Sequence, residues 1–281
     1  MKSSNEQLPW LSQLIRRTKS NVDFEGVVLS NSRTNLSCLY TILLATVAAP
    51  VAADSAHYDD RSEYLAPKAP QPLTIDGVAD EEIWQQAKWH ELNQRWLGPE
   101  YSAEDFAGRF KVVWTDNKLY ILGEFTDDIL IDTHRDPLVQ YWDDDCLEIF
   151  LDENFSGGDH QFNHNAFAYH MSLDNQAIDI GTDKQARNYS HHVESRWKQN
   201  GNKIIWELAI DVYTDAYEDG SDANTAVTLT AGKVMGLMVA YCDNDGSELR
   251  ENFIGSEVVA VGPKDRGLID AGLFGSLVLV D

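Results

Sequence analysis

Basic residues are scarce in this 281-residue chain: Lys and Arg total 22 against 46 Asp and Glu, a formal net charge of -24. Nucleic acids and anionic lipid surfaces are gripped by clustered Lys and Arg, so both are excluded as partners. A bilayer-spanning apolar run is also missing. Residues 39–49 (LYTILLATVAA) form an apolar stretch of about eleven residues, too short to cross a membrane and the length of a signal-peptide core. Cysteine is rare, with three in the chain. Neither Cys146 nor Cys242 belongs to a Cys/His zinc pattern, and no HExxH frames His160, His164, His170, His191 or His192. GxSxG, P-loop and cofactor-binding motifs are absent, which removes the serine hydrolase and nucleotide-dependent classes.

What remains is an acidic globular sequence with 43% hydrophobic residues, enough for a sizeable core. Arg33 precedes the apolar stretch, and Val51-Ala52-Ala53 follows it with small residues suited to cleavage before Asp54. Residues 1–53 therefore read as a leader and signal peptide, and the mature chain as secreted or periplasmic. Their removal takes away Lys2, Arg16, Arg17, Lys19 and Arg33 against only Glu6, Asp23 and Glu25, so the exported part is the more acidic. High net charge of one sign favours a soluble monomer. Export permits a Cys146–Cys242 disulfide, although cysteines on strands more commonly sit unpaired in a core. Residues 54–71, rich in Asp, Ala and Pro, read as a linker, and residues 72–281 as one domain.

The periodicity of that domain is two. Phe110–Trp114 and Leu119–Phe125 flank the polar turn Thr115–Lys118; Leu147, Ile149 and Leu151 alternate with Cys146, Glu148 and Phe150. Val193–Lys198 and Lys203–Ile210 flank Gln199-Asn200-Gly201-Asn202, whose Asn-Gly centre is a strong hairpin signal. Val234–Tyr241 and Gly275–Val280 complete the strands, while Asp243-Asn244-Asp245-Gly246 lacks EF-hand spacing and reads as a hairpin turn. One short N-terminal helix is expected at Asp80–Ala87, capped by Asp80 with Glu81 and Glu82 in its first turn. The fold expected is an all-β antiparallel sandwich, immunoglobulin- or jelly-roll-like.

Four segments make the reading specific: Ile75-Asp76-Gly77 with Asp80 and Trp84; Trp114-Thr115-Asp116 with Leu119-Tyr120-Ile121; Trp142-Asp143-Asp144-Asp145 followed by residues 147–154; and Phe274-Gly275-Ser276-Leu277. In their order and spread across residues 72–281 they resemble family 9 carbohydrate-binding modules. The resemblance implies a sandwich that binds sugar, steadied by calcium and partnered with a glycoside hydrolase such as a xylanase. The ligand expected is a plant-type oligosaccharide or polysaccharide of the xylan or glucan class.

The chemistry of such a site is simple. One face of a pyranose presents C–H bonds that pack on the electron-rich face of an aromatic ring. Its hydroxyls need polar partners, at a cost of about 1–3 kcal/mol for each group left unpaired. Trp142 falls where the family stacks its sugar, and Tyr141 widens the platform. The family's second stacking Trp is replaced near Leu268, leaving Asn252 and Phe253 as substitutes, and its Arg falls in the region of Asn163 and His164. For calcium, which takes six to eight oxygens, the candidates are Asp143, Asp145, Asp152, Asn154 and Asp159. No catalytic residue is assigned. Two alternatives stay open: a glycosidase using paired carboxylates, which would have to face one cleft about 5–9 Å apart, and an interaction domain that has lost its sugar.

Overall fold

The computed structural model describes residues 61–259 and 266–281. The expected leader and signal peptide lie outside the described residues. Among the described residues no helix is long and apolar enough to cross a membrane.

Two sheets face each other. The smaller runs β10 (Val193–Asn200), β11 (Lys203–Ile210), β5 (Leu119–Asp127), β4 (Phe106–Trp114), β2 (His90–Leu92), all antiparallel. The larger runs β1 (Glu63–Pro67), β14 (Gly275–Val280), β12 (Val234–Asp243), β6 (Cys146–Asp152), β7 (Phe167–Ser172), β8 (Ala177–Ile180), β9 (Ala186–Asn188). Strand β13 (Asn252–Gly255) also pairs with β12 and carries β3 (Gln94–Leu97) on its other edge. β1 lies inside the stretch that reads as a linker: Tyr64 and Ala66 alternate inward, and the strand pairs in parallel with β14. Period-two burial outweighs the local Asp/Ala/Pro composition there.

Between the sheets, Leu147, Ile149 and Leu151 of β6 and Val239 and Tyr241 of β12 meet Phe110, Val112, Ile121, Trp206 and Leu208 of the opposing sheet. The outer face of the larger sheet is covered as well. Phe150, Met238, Ala240 and Cys242 pack under Trp96, Phe253, Ala271 and Phe274, so all seven residues of β6 are buried. Cys146 and Cys242 are free thiols on this outer face, directly opposite each other across β6 and β12.

The expected helix at Asp80–Ala87 is a correction. Only a four-residue 3-10 turn, Glu82–Gln85, forms, with Glu81 extended and making no side-chain cap. Trp84 N bonds Glu81 O at 3.1 Å and Gln86 N bonds Ile83 O at 3.0 Å, the i to i+3 pattern. Ile83 and Trp84 must both pack on the smaller sheet, and Lys111 Nζ takes the Trp84 carbonyl, so a longer helix has no bonds or burial to gain. The Ile75-Asp76-Gly77 motif has a structural purpose. The Asp76 and Gly77 N–H groups donate to the buried Glu207 carboxylate at 3.1 and 2.8 Å. Gly77 has φ +76°, and a Cβ there would lie 2.9 Å from the backbone of Trp197 and Lys198.

Candidate functional site

Residues 128–145 join β5 to β6 and bring Tyr141 and Trp142 onto the outer face of the larger sheet. Carboxylates set their course: Ile129 N donates to Asp127, Ile131 N to Asp145, and Thr133 N and His134 N to Asp144. The rings of Tyr141 and Trp142 meet edge to face with centroids 4.9 Å apart. Tyr141 is itself edge to face on His170 at 4.7 Å. His170 Nε2 lies 3.0 Å from Glu148 Oε1. Glu148 is fully buried on β6, accepts from Cys242 Sγ at 3.0 Å, and lies 3.4 Å from Arg250 Nη1. Burial works to raise the Glu148 carboxyl, but the charges of His170 and Arg250 outweigh it and hold the group below its usual range. Glu148 Oε2 is buried with no hydrogen-bond partner. Trp142 is half-buried, so it combines a fixed ring with an accessible surface.

A second centre lies where β5 and β12 end and β6 begins. Asp127, Asp145 and Asp243 are all buried, and their carboxylates lie within 4.8 Å of one another. Asp105, Asp128 and Asp245 form an adjoining group of the same dimensions nearer the surface. Tyr241 OH donates to Asp127 at 2.7 Å, and Asn244 N donates to Asp145 at 2.8 Å. The Asp243 carboxylate is 3% exposed and accepts no hydrogen bond from any described residue. Burial, followed by the neighbouring carboxylates, pushes Asp145 up to about 9, Asp243 to about 8 and Asp127 to about 6. Like charges this close hold charge together only with protons or a cation between them.

The carbohydrate family 9 binding domain-like family matches residues 75–281, well over half of the chain. The chain belongs to this family. Among solved structures, a family 9 carbohydrate-binding module from Caldicellulosiruptor kristjanssonii in complex with cellotriose is similar at 20% identity and TM-score 0.57, covering 78% of this chain and 94% of that one. The same organism's module in complex with glucose matches at 20% identity and TM-score 0.56, over 78% and 95% of the two chains. At that identity the likeness speaks for the fold. No curated protein matches the chain.

In this family 9 domain the sequence-predicted site residues separate. Tyr141 and Trp142 stay together, as described. Phe253 is buried, with Arg250 stacked on it at 4.0 Å and Trp96 edge to face at 4.8 Å, so its faces are taken. Asn252 is buried beside it, and Leu268 is half-buried against the outer-face core. Asn163 lies in the 159–165 loop, bonding the Asp159 carbonyl at 3.1 Å.

The predicted metal residues do not converge. Asp143 accepts from Arg250 N at 3.3 Å, and Asp144 takes the Thr133 and His134 amides. Of the predicted set, only Asp145 enters the buried carboxylate centre. Asp152 and Asn154 instead fold their own loop by accepting from Asn154 N, Gly157 N and Ser156 N at 3.1, 2.8 and 3.0 Å. Asp159 pairs by its backbone with Asp270. No group of three metal-ligating side chains among the described residues includes a histidine. Asp127 was not singled out from sequence, and Asp243 was read as part of a hairpin turn, although each is the last residue of a strand whose alternation is plain. His170, Glu148 and Arg250 come from three separate segments that no local motif connects.

Proposed function

We propose that this chain is an exported carbohydrate-binding protein that holds a neutral oligosaccharide or polysaccharide of the glucan or xylan class against Trp142. The observation that carries the reading is the stack Trp142–Tyr141–His170–Glu148: an accessible indole fixed on a buried polar floor. Such preorganisation limits the entropy lost on binding. The related modules bound to cellotriose and glucose support the ligand class. Export is supported by the apolar segment at residues 39–49 and the small residues after it. A glycoside hydrolase acting on the same polymer is the proposed partner.

Calcium belongs to the same proposal. Asp127, Asp145 and Asp243 fit a hard cation because Asp243 is buried with no donor to its carboxylate among the described residues and all three offer oxygen. Bound there, the ion would neutralise the clustered charge and tie together the ends of β5, β6 and β12.

The test is a titration of the purified domain with cello- and xylo-oligosaccharides, followed by tryptophan fluorescence. Trp142→Ala should weaken binding about tenfold or more. Unchanged affinity in that variant, or silence across both series, would reject the assignment.

A further inference from the structure

A cavity of about 600 Å³ opens between the edge strand β9 and the segment 211–224 that leaves β11. Its lining contains none of Tyr141, Trp142 or Glu148. Leu138 contributes from the loop that carries Trp142, but the rest of the wall is separate. His191 lines it, and His164 and His192 pack on Tyr217 in its wall with ring centroids 5.0 and 4.8 Å away.

The floor is aromatic and fixed. Tyr213 packs on His192 at 4.3 Å and on Tyr217 at 5.1 Å, while Tyr217 OH meets His191 Nε2 at 3.0 Å. Tyr189 OH donates to Asp219 at 2.7 Å. One rim is held by Asn224, whose side chain bonds the Glu218 and Ser221 carbonyls at 2.7 and 3.0 Å. Groups are left over for a ligand. The half-buried Tyr213 hydroxyl makes no hydrogen bond with any described residue. Arg187 spends Nε and Nη2 on Asp183, while its Nη1 makes no hydrogen bond with any described residue.

Charge narrows the ligand. Arg187 is neutralised by Asp183 and stands 3.6 Å from Asp219, and Asp219 also faces His164 at 3.3 Å. With Asp222 on the rim and no uncompensated cation among the described lining residues, the cavity disfavours phosphates and acidic sugars. The half-buried Tyr213 ring, bordered by hydroxyl, amide and guanidinium groups, suits a ring with C–H faces and hydroxyl edges. The volume is within the range of small-ligand sites. We infer that this groove is a second binding site for a neutral saccharide, distinct from the one proposed at Trp142.

The test is a nuclear magnetic resonance titration of the uniformly nitrogen-labelled protein with cellotriose, xylotriose and mannotriose in turn. At least one of the three should move the Asn188 and Asn224 signals independently of the Trp142 indole. Tyr213→Ala should weaken the groove response about tenfold while Trp142 behaves as in the parent protein, which also reports an intact fold. Tyr213→Phe, which keeps the ring, should lose no more than about threefold. Still signals at Asn188 and Asn224 with all three sugars overturn the proposal, as does a response indifferent to Tyr213→Ala. Movement of the Trp142 indole alone retains the reading under Proposed function and removes the groove; movement of the groove alone does the reverse.

Discussion

Replacing Asp243 by Asn should make the metal-free protein more stable while abolishing its response to calcium. Carboxylates within 4.8 Å of one another, at an effective dielectric constant of about 20, repel by about 3.5 kcal/mol per ionised pair. Asp243 enters two such pairs, with Asp127 and Asp145. Proton uptake relieves part of this in the metal-free state, because Asp243 is pushed up to about 8 by burial and by Asp127. The remaining gain from Asp243→Asn is about 2–4 kcal/mol. The substitution breaks no hydrogen bond, since the carboxylate accepts none from the described residues. For a domain of this size the gain corresponds to a Tm increase of about 5–10 °C in chelator. In the parent protein calcium should raise Tm by linkage, with about 2.7 kcal/mol at a hundredfold excess over Kd. Thermal unfolding followed by circular dichroism, with chelator and with calcium, measures both effects. A variant that melts lower than the parent in chelator, or keeps the full calcium response, refutes the reasoning.

Gly77→Ala should cost about 2–4 kcal/mol in urea unfolding, because φ is +76° and the added Cβ meets two backbone atoms at 2.9 Å; a loss under about 0.5 kcal/mol would show that the Glu207 clasp tolerates movement. Acidification should destabilise the protein through His192, which burial and the neighbouring His191 and His164 lower to about 3. Its folded pKa lies below the unfolded value, so the stability is complete above about pH 6.5 and is lost at about 1.4 kcal/mol per pH unit as pH falls from there toward 3. Chemical denaturation of His192→Phe between pH 7 and 5 should show a slope shallower by about 0.7 proton on average, and an identical slope counts against a neutral buried imidazole.

The strongly alternating strands were legible because each buries one clear apolar face: β4, β5, β6, β10, β11, β12 and β14 lie where the pattern places them. The Asn200-Gly201 turn was equally plain, with Gly201 at φ +66°. β1, β2, β3, β8, β9 and β13 have three to five residues each, too few for periodicity to register. The site was harder for a geometric reason. Asp143, Asp144 and Asp145 look like one ligand set, yet the backbone turns them toward Arg250 N, the Thr133–His134 amides and the buried carboxylates in succession. Sequence proximity failed there, while residues over a hundred positions apart, Asp127 and Asp243, converge because two strands of opposite sheets end side by side. Trp142 was found through resemblance; the floor beneath it is assembled from β6, β7 and the segment after β12.

Strand β6 has no solvent-facing residue, and its neighbours on both sides are long and paired. Its amides should therefore exchange with solvent only when the whole domain opens. Trp142 is joined to this strand through Tyr141, His170 and Glu148. A ligand resting on that indole is thus coupled to the slowest-opening part of the molecule, even though the indole itself is carried by a loop. Breathing of the loop would set how quickly the proposed sugar ligand arrives and leaves, while the buried floor beneath the indole should persist until the whole domain opens.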